Sequence, residues 1–327
     1  MDNLQKIEGA LYSMKCVIFG GGGFIGSAIA DRLMLDGHSL RIFERPRVEP
    51  YRKFEAYEQV EWITGDLLST HDVTDAVDGA DVVLHLVSTT LPKTSNEDPI
   101  YDVQSNLVAT LQMLNAMVVK KIPKIVFISS GGTVYGTQTY LPIDERHPTD
   151  PEVSYGIIKL AIEKYLLMFE RMHGLKSTIL RVANAFGERQ RIETAQGAVG
   201  VFIHRALRCQ PVDIWGDGSV VRDYIYISDV ADAFARAVTY SGHKRVFNIS
   251  SGQGVSINAL IALIADVLNQ SIECRYLVGR PFDVPISVLN NELAQQELDW
   301  APKVQIREGI IRTAEWMKNE LANDSVT

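Results

Sequence analysis

A glycine-rich turn between a short apolar strand and a helix pattern constrains the fold of this chain most strongly. The run 16–19 (Cys-Val-Ile-Phe) is typical of a buried strand, and the residues from Ser27 onward predict a helix. Gly20, Gly23 and Gly26 lie between them. Such a turn uses one glycine to leave the strand, one to let backbone amides approach a diphosphate, and one to pack helix against sheet. Because the helix N-terminus adds partial positive charge, the turn predicts a dinucleotide site.

An acidic residue follows the next predicted strand. Strand 39–43 ends at Glu44, which lies 24 residues after Gly20. A carboxylate at that place accepts hydrogen bonds from the adenosine ribose hydroxyls, which favours NAD over NADP. Arg45 and Arg47 leave an alternative open, because either could instead meet a 2′-phosphate.

The composition excludes several classes of partner. The chain has 327 residues, and its 32 basic and 40 acidic side chains give a formal net charge of −8. It therefore offers no sequence-wide attraction to nucleic acid or to an anionic membrane. No apolar run approaches the ~20 residues of a membrane span. The three cysteines (Cys16, Cys209 and Cys274) are scattered, so we expect a cytoplasmic protein with neither disulfides nor a metal site.

Strand and helix patterns alternate over the first 182 residues. The predicted later strands are 60–63, 81–87, 124–128 and 175–182, and the predicted helices are 72–77, 101–121 and 155–172. This alternation predicts an α/β fold with a doubly wound parallel (Rossmann) sheet, whose ligands lie beyond the carboxyl ends of the strands.

The alternation loosens after residue 182, which predicts a smaller, mostly C-terminal substrate domain. We assign residues 14–182 to the dinucleotide-binding domain, and residues 183–222 and 251–327 to the substrate domain. Residues 223–250 are expected to return to the first domain, with the apolar run Tyr224–Ile227 as a strand of the main sheet.

Tyr155 and Lys159 form the most informative pair, because they are four residues apart at the start of a strongly patterned helix. Residues at that spacing share one face. A phenol has a reference pKa of about 10, so its use as a base near neutral pH requires lowering that pKa by roughly 3 units. A neighbouring ammonium and an oxidised nicotinamide both have the charge that does so.

Together with further motifs, this pair resembles the extended short-chain dehydrogenase/reductase family, in its nucleotide-sugar epimerase and dehydratase branch. The resemblance covers residues 15–316 and rests on the glycine turn, Asp66-Leu67, Ser129-Ser130 before Val134-Tyr135-Gly136, and Tyr155-x-x-x-Lys159. It implies that Tyr155 is the acid/base and that Lys159 holds both the phenolate and the nicotinamide ribose. The cofactor residues that it implies are Gly20, Gly23, Phe24, Ile25, Gly26, Glu44, Asp66, Leu67, Leu86, Val87, Ser88, Asn106, Ser129, Tyr155 and Lys159.

The second half of the chain resembles the same family. Asn184 lies in an Arg-x-x-Asn-x-x-Gly motif, Arg222 in an Arg-Asp-Tyr block, and Arg280 with Asp283 in a C-terminal sugar-nucleotide clamp. The resemblance implies that these residues bind the substrate diphosphate and nucleotide, for which the planar fork of arginine is suited. The implied activity is NAD-dependent inversion of C4 of a UDP-hexose, plain or N-acetylated, through a transient 4-keto sugar.

One position departs from the family pattern. Epimerases of this branch usually carry Ser or Thr four residues before the tyrosine of Val-Tyr-Gly, where this chain has Gly131. The missing hydroxyl is expected to be replaced by Thr133 or by Ser130, which is also a candidate for substrate binding. We favour Thr133, because it follows the pair Gly131-Gly132, whose backbone freedom could swing a hydroxyl into place.

Two other functions remain open from the sequence. A nucleotide-sugar 4,6-dehydratase or ketoreductase would have the same fold, but dehydratases place an Asp-Glu pair where this chain has Gly132 and Thr133. The alternative of another class is a non-catalytic dinucleotide-sensing protein. The presence of Tyr155 and Lys159 argues against it. The identity of the sugar depends on pocket volume, which no motif reports.

A homodimer is also expected. The predicted helices 101–120 and 155–172 carry more apolar residues than one covering face requires. In the family that this chain resembles, the corresponding helices form a four-helix interface across a two-fold axis.

Overall fold

The computed structural model describes residues 13–58, 60–91, 94–190, 197–279 and 284–324. In chain order the strands are β1 Lys15–Phe19, β2 Ser39–Glu44, β3 Val60–Thr64, β4 Val82–His85, β5 Lys124–Ser130, β6 Lys176–Val182, β7 Asn184–Phe186, β8 Val212–Trp215, β9 Val221–Tyr226, β10 Val246–Ile249, β11 Gly254–Ser256, β12 Cys274–Leu277 and β13 Ile286–Ser287.

Ten α-helices are described. They are α1 Phe24–Leu35, α2 Thr70–Val77, α3 Pro99–Asp102, α4 Ala109–Val119, α5 Ser154–His173, α6 Ala198–Leu207, α7 Ile227–Thr239, α8 Ile257–Leu268, α9 Glu292–Leu298 and α10 Ile306–Asp324. Within the described ranges, no helix is both long and apolar enough to cross a membrane.

Seven strands form one parallel sheet in the order β10-β6-β5-β4-β1-β2-β3. Successive side chains of β1 enter two different apolar layers: Cys16 and Ile18 pack with α1 and α7, whereas Val17 and Phe19 pack with α2, α4 and α5. Both faces of the sheet are thus covered, which explains the nearly unbroken apolar strands. The predicted doubly wound sheet is confirmed.

The predicted helix 101–121 is helical but not uniform. A π-helical stretch, Val103–Val108, separates α3 from α4. Each π turn holds one more residue than an α turn, and such turns are frequent at functional sites. Ser105 and Asn106 of this stretch form side-chain hydrogen bonds with Thr89 and Asp102. An apolar repeat carries no information about such contacts, so it did not predict the change.

The assignment of Tyr224–Ile227 to the main sheet was wrong. These residues belong to β9 and the start of α7, and β9 pairs with β7, β11 and β13 in a separate four-stranded sheet. The place beside β6 is taken by β10, whose Phe247 and Ile249 are fully buried. An apolar strand pattern gives no information about its partner strand, so the sequence could not choose between β9 and β10.

The strand order favours a ligand site at the carboxyl edge of the main sheet. The order changes direction between β1 and β4, and open α/β sheets bind ligands at such a switch point. The glycine turn follows β1, Glu44 ends β2, residues 86–88 follow β4, and Ser129-Ser130 end β5. The predicted cofactor residues therefore collect at one edge.

Candidate active site

The glycine turn has the geometry of a diphosphate cradle. Gly20 has a φ of 87°, and a Cβ at Gly26 would lie 2.1 Å from the carbonyl oxygen of Gly20, so neither position accepts a side chain without distortion. A Cβ at Gly23 has its nearest neighbour at 3.6 Å. Gly23 is the N-cap of α1 and provides no side-chain cap, so the amides of the first turn remain available to an anion.

Glu44 lies directly beside this turn. Its Oε1 accepts a hydrogen bond of 2.9 Å from the backbone N–H of Gly22. Burial raises the pKa of Glu44, and the amide of Gly22 and the charge of Arg45 oppose that shift. Arg45 and Arg47 are exposed. Of these three residues, Glu44 is therefore the one whose side chain is held at the glycine turn.

Further predicted cofactor residues lie in the segments after β3 and β4. A Cβ at Gly20 would lie 3.3 Å from Cγ2 of Val87, so the loop after β4 packs against the glycine turn, with Leu86 half-buried and Ser88 exposed beside it. Leu67 is buried. Asp66 is exposed, and its carboxylate accepts a hydrogen bond from the N–H of Leu68.

Two side chains that were predicted to bind the cofactor form hydrogen bonds with other residues of the protein. The hydroxyl of Ser129 donates to Glu163, and the side chain is 3% exposed. The amide of Asn106 accepts from the N–H of Thr89 at 2.9 Å and donates to the hydroxyl of Thr90 at 3.2 Å. Asn106 thus holds the loop after β4, and direct contact of either side chain with the cofactor stays a prediction.

Tyr155 and Lys159 come together in the first two turns of α5, as their spacing predicts. The ammonium of Lys159 lies 5.6 Å from the centre of the Tyr155 ring and 4.8 Å from that of Phe127. It donates a hydrogen bond of 3.0 Å to the carbonyl oxygen of Ile128. Lys159 is buried, and Tyr155 is half-buried.

The electrostatics of the pair differ from the sequence expectation. Burial, and secondarily the charge of Asp102, raises the pKa of Tyr155 to about 12. Burial lowers the pKa of Lys159 to about 8, against the opposing charges of Asp102 and Glu163. The chain alone therefore keeps Tyr155 as a neutral phenol near pH 7, and Lys159 does not by itself make it a base.

Side chains from another segment fix the start of α5. The N-cap residue, Val153, has no side-chain cap. Instead, the backbone N–H of Ser154 donates to Oδ1 of Asn96 at 2.9 Å, and that of Tyr155 donates to Oγ of Ser95 at 3.1 Å. Ser95 and Asn96 form a short 3₁₀ helix with Thr94, and this contact positions the tyrosine.

The loop after β5 brings Thr133 against the same helix. A Cβ at Gly156 would lie 2.8 Å from the carbonyl oxygen of Thr133, so that loop and the first turn of α5 touch. The hydroxyl of Thr133 is buried and has no hydrogen-bond partner among the described residues. Gly131 and Gly132 do not have positive φ, so the backbone freedom expected of them is not used here.

The predicted substrate residues are partly within the described ranges. Asn184 donates to the carbonyl oxygen of Asp223 at 3.0 Å, and Arg222 donates to the carbonyl oxygens of Val221 and Val284. Arg280 and Asp283 lie outside the described residues. Within the described ranges, a pocket of about 420 Å³ is lined by Trp215, Gly216, Ser219, Val220, Val221, Gly279, Pro285 and Ile286.

Comparison with known proteins decides the family. The profile of the NAD dependent epimerase/dehydratase family matches residues 16–250. The chain belongs to this family. Its members are NAD-dependent, and the glycine cradle with Glu44 beside it fits that cofactor, because nothing at Gly23 obstructs a diphosphate.

Similar individual proteins cover almost the whole chain. The putative UDP-glucose 4-epimerase of Methanocaldococcus jannaschii is 34% identical, over 93% of this chain and 98% of the relative. A dTDP-4-dehydro-6-deoxyglucose reductase of Escherichia coli is 33% identical, over 90% and 94%. The crystal structure of UDP-glucose 4-epimerase from Thermotoga maritima with UDP-glucose has a TM-score of 0.89 at 32% identity, over 94% and 100%.

Three buried charged residues had no role predicted from the sequence, although one of them, Arg181, begins the Arg-x-x-Asn-x-x-Gly motif. Glu163 and Arg181 form a bidentate pair, with a shortest distance of 2.6 Å, and the guanidinium lies 4.7 Å from the centre of the Tyr135 ring. Glu163 follows Lys159 by four residues on an apolar helix face, which was a signal that it needed a buried partner. The third missed residue is Asp102, which is 1% exposed.

Proposed function

We propose that this protein inverts C4 of a UDP-hexose through a transient 4-keto sugar. The observation that carries the proposal is the buried Lys159 against Tyr155, in a NAD-dependent family, at the edge that also carries the glycine cradle. NAD, when bound, supplies the hydride acceptor and donor. The cycle leaves the cofactor unchanged, which favours tightly held NAD, and such a protein needs no added NAD.

Tyr155 removes the proton of the 4-hydroxyl and returns it after the sugar has turned. Because the chain alone raises the pKa of Tyr155 to about 12, the positive charges near the phenol have to favour its ionised form. Lys159 supplies one such charge, and its ammonium is kept in place by the carbonyl of Ile128. The oxidised cofactor supplies the other.

Thr133 is the hydroxyl that we assign to the proton path between the sugar and Tyr155. A buried hydroxyl without a partner is uncommon, since buried polar groups are nearly always hydrogen-bonded. That of Thr133 has none among the described residues, and its backbone touches the turn that carries Tyr155. Ser130 remains the alternative, at the end of β5.

The nucleotide is assigned to the pocket beside Trp215. The indole is about half exposed and stands at the end of β8, where it could stack on a base. Gly279 lines this pocket and immediately precedes Arg280, and Arg222 follows the lining residue Val221. Arg222, Arg280, Asn184 and Asp283 are the residues that we propose for the substrate diphosphate and nucleotide.

Ketoreduction of a nucleotide-linked 4-keto sugar is the second candidate. It is favoured by the 33% identity to the reductase and by Gly131, which lacks the hydroxyl usual in epimerases. A reductase consumes one reduced nicotinamide for each sugar, whereas an epimerase consumes none. Dehydration is disfavoured, because Gly132 and Thr133 stand where dehydratases carry an acid and a neighbouring carboxylate.

One experiment separates the candidates. Purified protein is incubated with UDP-, GDP- and dTDP-hexoses, plain and N-acetylated, without added cofactor, and the products are separated by chromatography. The proposal expects a C4 epimer from a UDP-sugar. A second incubation contains a nucleotide-linked 4-keto sugar and added reduced nicotinamide. Oxidation of the nicotinamide there, with no epimer from any hexose, would instead assign the reductase.

A homodimer remains part of the proposal. Exposed apolar side chains lie on α3, the π-helical stretch and α5, where a second copy would cover them: Ile100, Tyr101, Val103, Val108 and Ile157. These elements contact one another, and large exposed apolar patches mark interaction sites.

A further inference from the structure

Asp102 is a buried carboxylate that the mechanism above does not use. It ends α3, is 1% exposed, and accepts three side-chain hydrogen bonds. Its Oδ1 accepts from the hydroxyl of Thr90 at 2.6 Å and from the amide of Asn106 at 2.8 Å, and its Oδ2 accepts from the hydroxyl of Ser154 at 2.6 Å. All three donors are neutral, so within the described ranges no lysine or arginine pairs with this carboxylate.

The hydrogen bond to Ser154 places Asp102 at the start of the catalytic helix. Ser154 directly precedes Tyr155 and is the first residue of α5. The other two partners belong to the cofactor side, because Thr90 lies in the loop after β4 and Asn106 also holds Thr89 of that loop. Asp102 therefore joins the loop after β4 to the turn that carries the tyrosine.

Few other ionisable groups face the pair. Glu163 of α5 is neutralised by its bidentate contact with Arg181. His85 of β4 is buried, and burial, assisted by the charge of Lys159, lowers its pKa to about 3, so it is neutral near pH 7. Among the described residues, Asp102 is thus the negative group near Tyr155 and Lys159 that no cation balances by direct contact.

We propose that Asp102 is a positioning residue with two effects. It orients the first turn of α5 through Ser154, and its buried negative charge favours the protonated forms of Tyr155 and Lys159. This inference rests on the proposed acid/base role of Tyr155. A negative charge at this place opposes the phenolate and favours the neutral phenol, which is the form that donates a proton to a keto oxygen. Asp102 therefore favours the reductive half of the cycle.

The test is the pH profile of kcat/KM for the sugar in which the hydroxyl is oxidised. Asp102 raises the pKa of Tyr155 and of Lys159, so removing its charge lowers both. Asp102→Asn should move the acid limb of the profile to lower pH by at least ~0.5 unit, since nearby charges shift pKa values by that amount or more. A change that merely loosens the structure lowers kcat without moving the limb.

Ser154→Ala is the matched control, because it removes one hydrogen bond to the carboxylate and keeps its charge. It should lower kcat and leave the acid limb where it is. An unmoved limb in Asp102→Asn, or an equal displacement in both variants, overturns the inference.

A second variant covers the case in which Asp102→Asn does not fold, and one further control separates failure of this inference from failure of the proposed function. If Asp102→Asn does not fold, Asp102→Ala combined with Ser154→Ala removes both partners together and carries the same predicted displacement. Tyr155→Phe tests the proposed function separately. If that variant keeps wild-type activity, the proposed function fails; if it is inactive and the limb of the Asp102 variant is unmoved, the inference alone fails.

Discussion

Leu289 occupies the space into which a side chain at position 131 would extend. A Cβ at Gly131 would lie 2.3 Å from Cδ1 of Leu289, which is itself buried with Val134, Tyr135 and Ile143. Glycine at 131 is thus explained by packing against a segment far along the chain. The epimerase hydroxyl that is absent at 131 could not be restored there without moving Leu289.

Gly131→Ala should therefore destabilise the protein, by about 1–3 kcal/mol, because an added methyl group overpacks the cluster. The matched control is Gly132→Ala, where a Cβ would meet nothing within 4 Å. That variant should be neutral or slightly more stable. Denaturant unfolding of both variants gives the comparison, and equal losses would contradict the packing explanation.

The same contact predicts coupling between the two positions. Leu289→Ala alone should cost about 2–5 kcal/mol by leaving a cavity. In the double variant Gly131→Ala with Leu289→Ala, the new methyl group enters that cavity, so the loss should be smaller than the sum of the two single losses. Strict additivity would show that the two residues do not share the space.

Thr133→Ala should lower the turnover of epimerisation by ~100-fold or more at saturating substrate, because positioned groups that transfer protons contribute that much. Thr133→Ser keeps the hydroxyl and should recover most of the activity. Ser130→Ala is expected to have a much smaller effect. If neither alanine variant loses even tenfold, there is no hydroxyl relay in this protein.

Lys159→Met should increase stability and abolish activity. Burial lowers the pKa of Lys159 to about 8 from an ordinary value of 10.5, so below pH 8 the folded protein bears the cost of a buried ammonium. Removing that charge should stabilise by on the order of 1–3 kcal/mol at pH 7. The gain should disappear as the pH rises from about 8 to 10.5, where wild-type Lys159 loses its proton in both states.

Lys124→Met is the control for this prediction. Burial also lowers the pKa of Lys124 to about 8, but its ammonium bonds to the carbonyl oxygens of Val238 and Tyr240, at the end of α7. This variant should keep its activity.

The stability of Lys159→Met relative to wild type is measured by unfolding at pH 7 and at pH 10. If the gain in stability is as large at pH 10 as at pH 7, Lys159 is not a buried ammonium.

The proposed dimer predicts that a charge introduced at two exposed apolar residues has different effects. Ile157, 52% exposed on α5, lies in the proposed interface, and Leu35, 83% exposed, ends α1 outside it. Ile157→Glu should yield a monomer in sedimentation at micromolar concentration, whereas Leu35→Glu should remain a dimer. A monomeric wild-type protein would rule out the interface.

The sequence predicted those features that depend on local pattern. The glycine turn, Glu44 and the pair Tyr155 and Lys159 are defined by spacing within one strand–turn–helix unit or one helix, and the structure places all of them at the expected edge. Apolar periodicity also located α5 to within a residue at each end.

Features set by long-range contacts could not be predicted in this way. The reason for Gly131 lies in Leu289, and the anion near Tyr155 comes from Asp102 on another helix. The pairing of β9 with β7 could not be predicted either, because the apolar patterns of β9 and β10 both fit the place beside β6. Each of these depends on which segments meet in space, and one sequence carries no direct record of that.

Conversion of a UDP-hexose labelled with deuterium at C4, by purified protein without added cofactor, tests C4 inversion most directly. We predict a C4 epimer that keeps the deuterium, because the same hydride is removed and returned, and a loss of at least ~100-fold in Tyr155→Phe. No epimer from any UDP-hexose, together with stoichiometric oxidation of reduced nicotinamide in the presence of a nucleotide-linked 4-keto sugar, would contradict it.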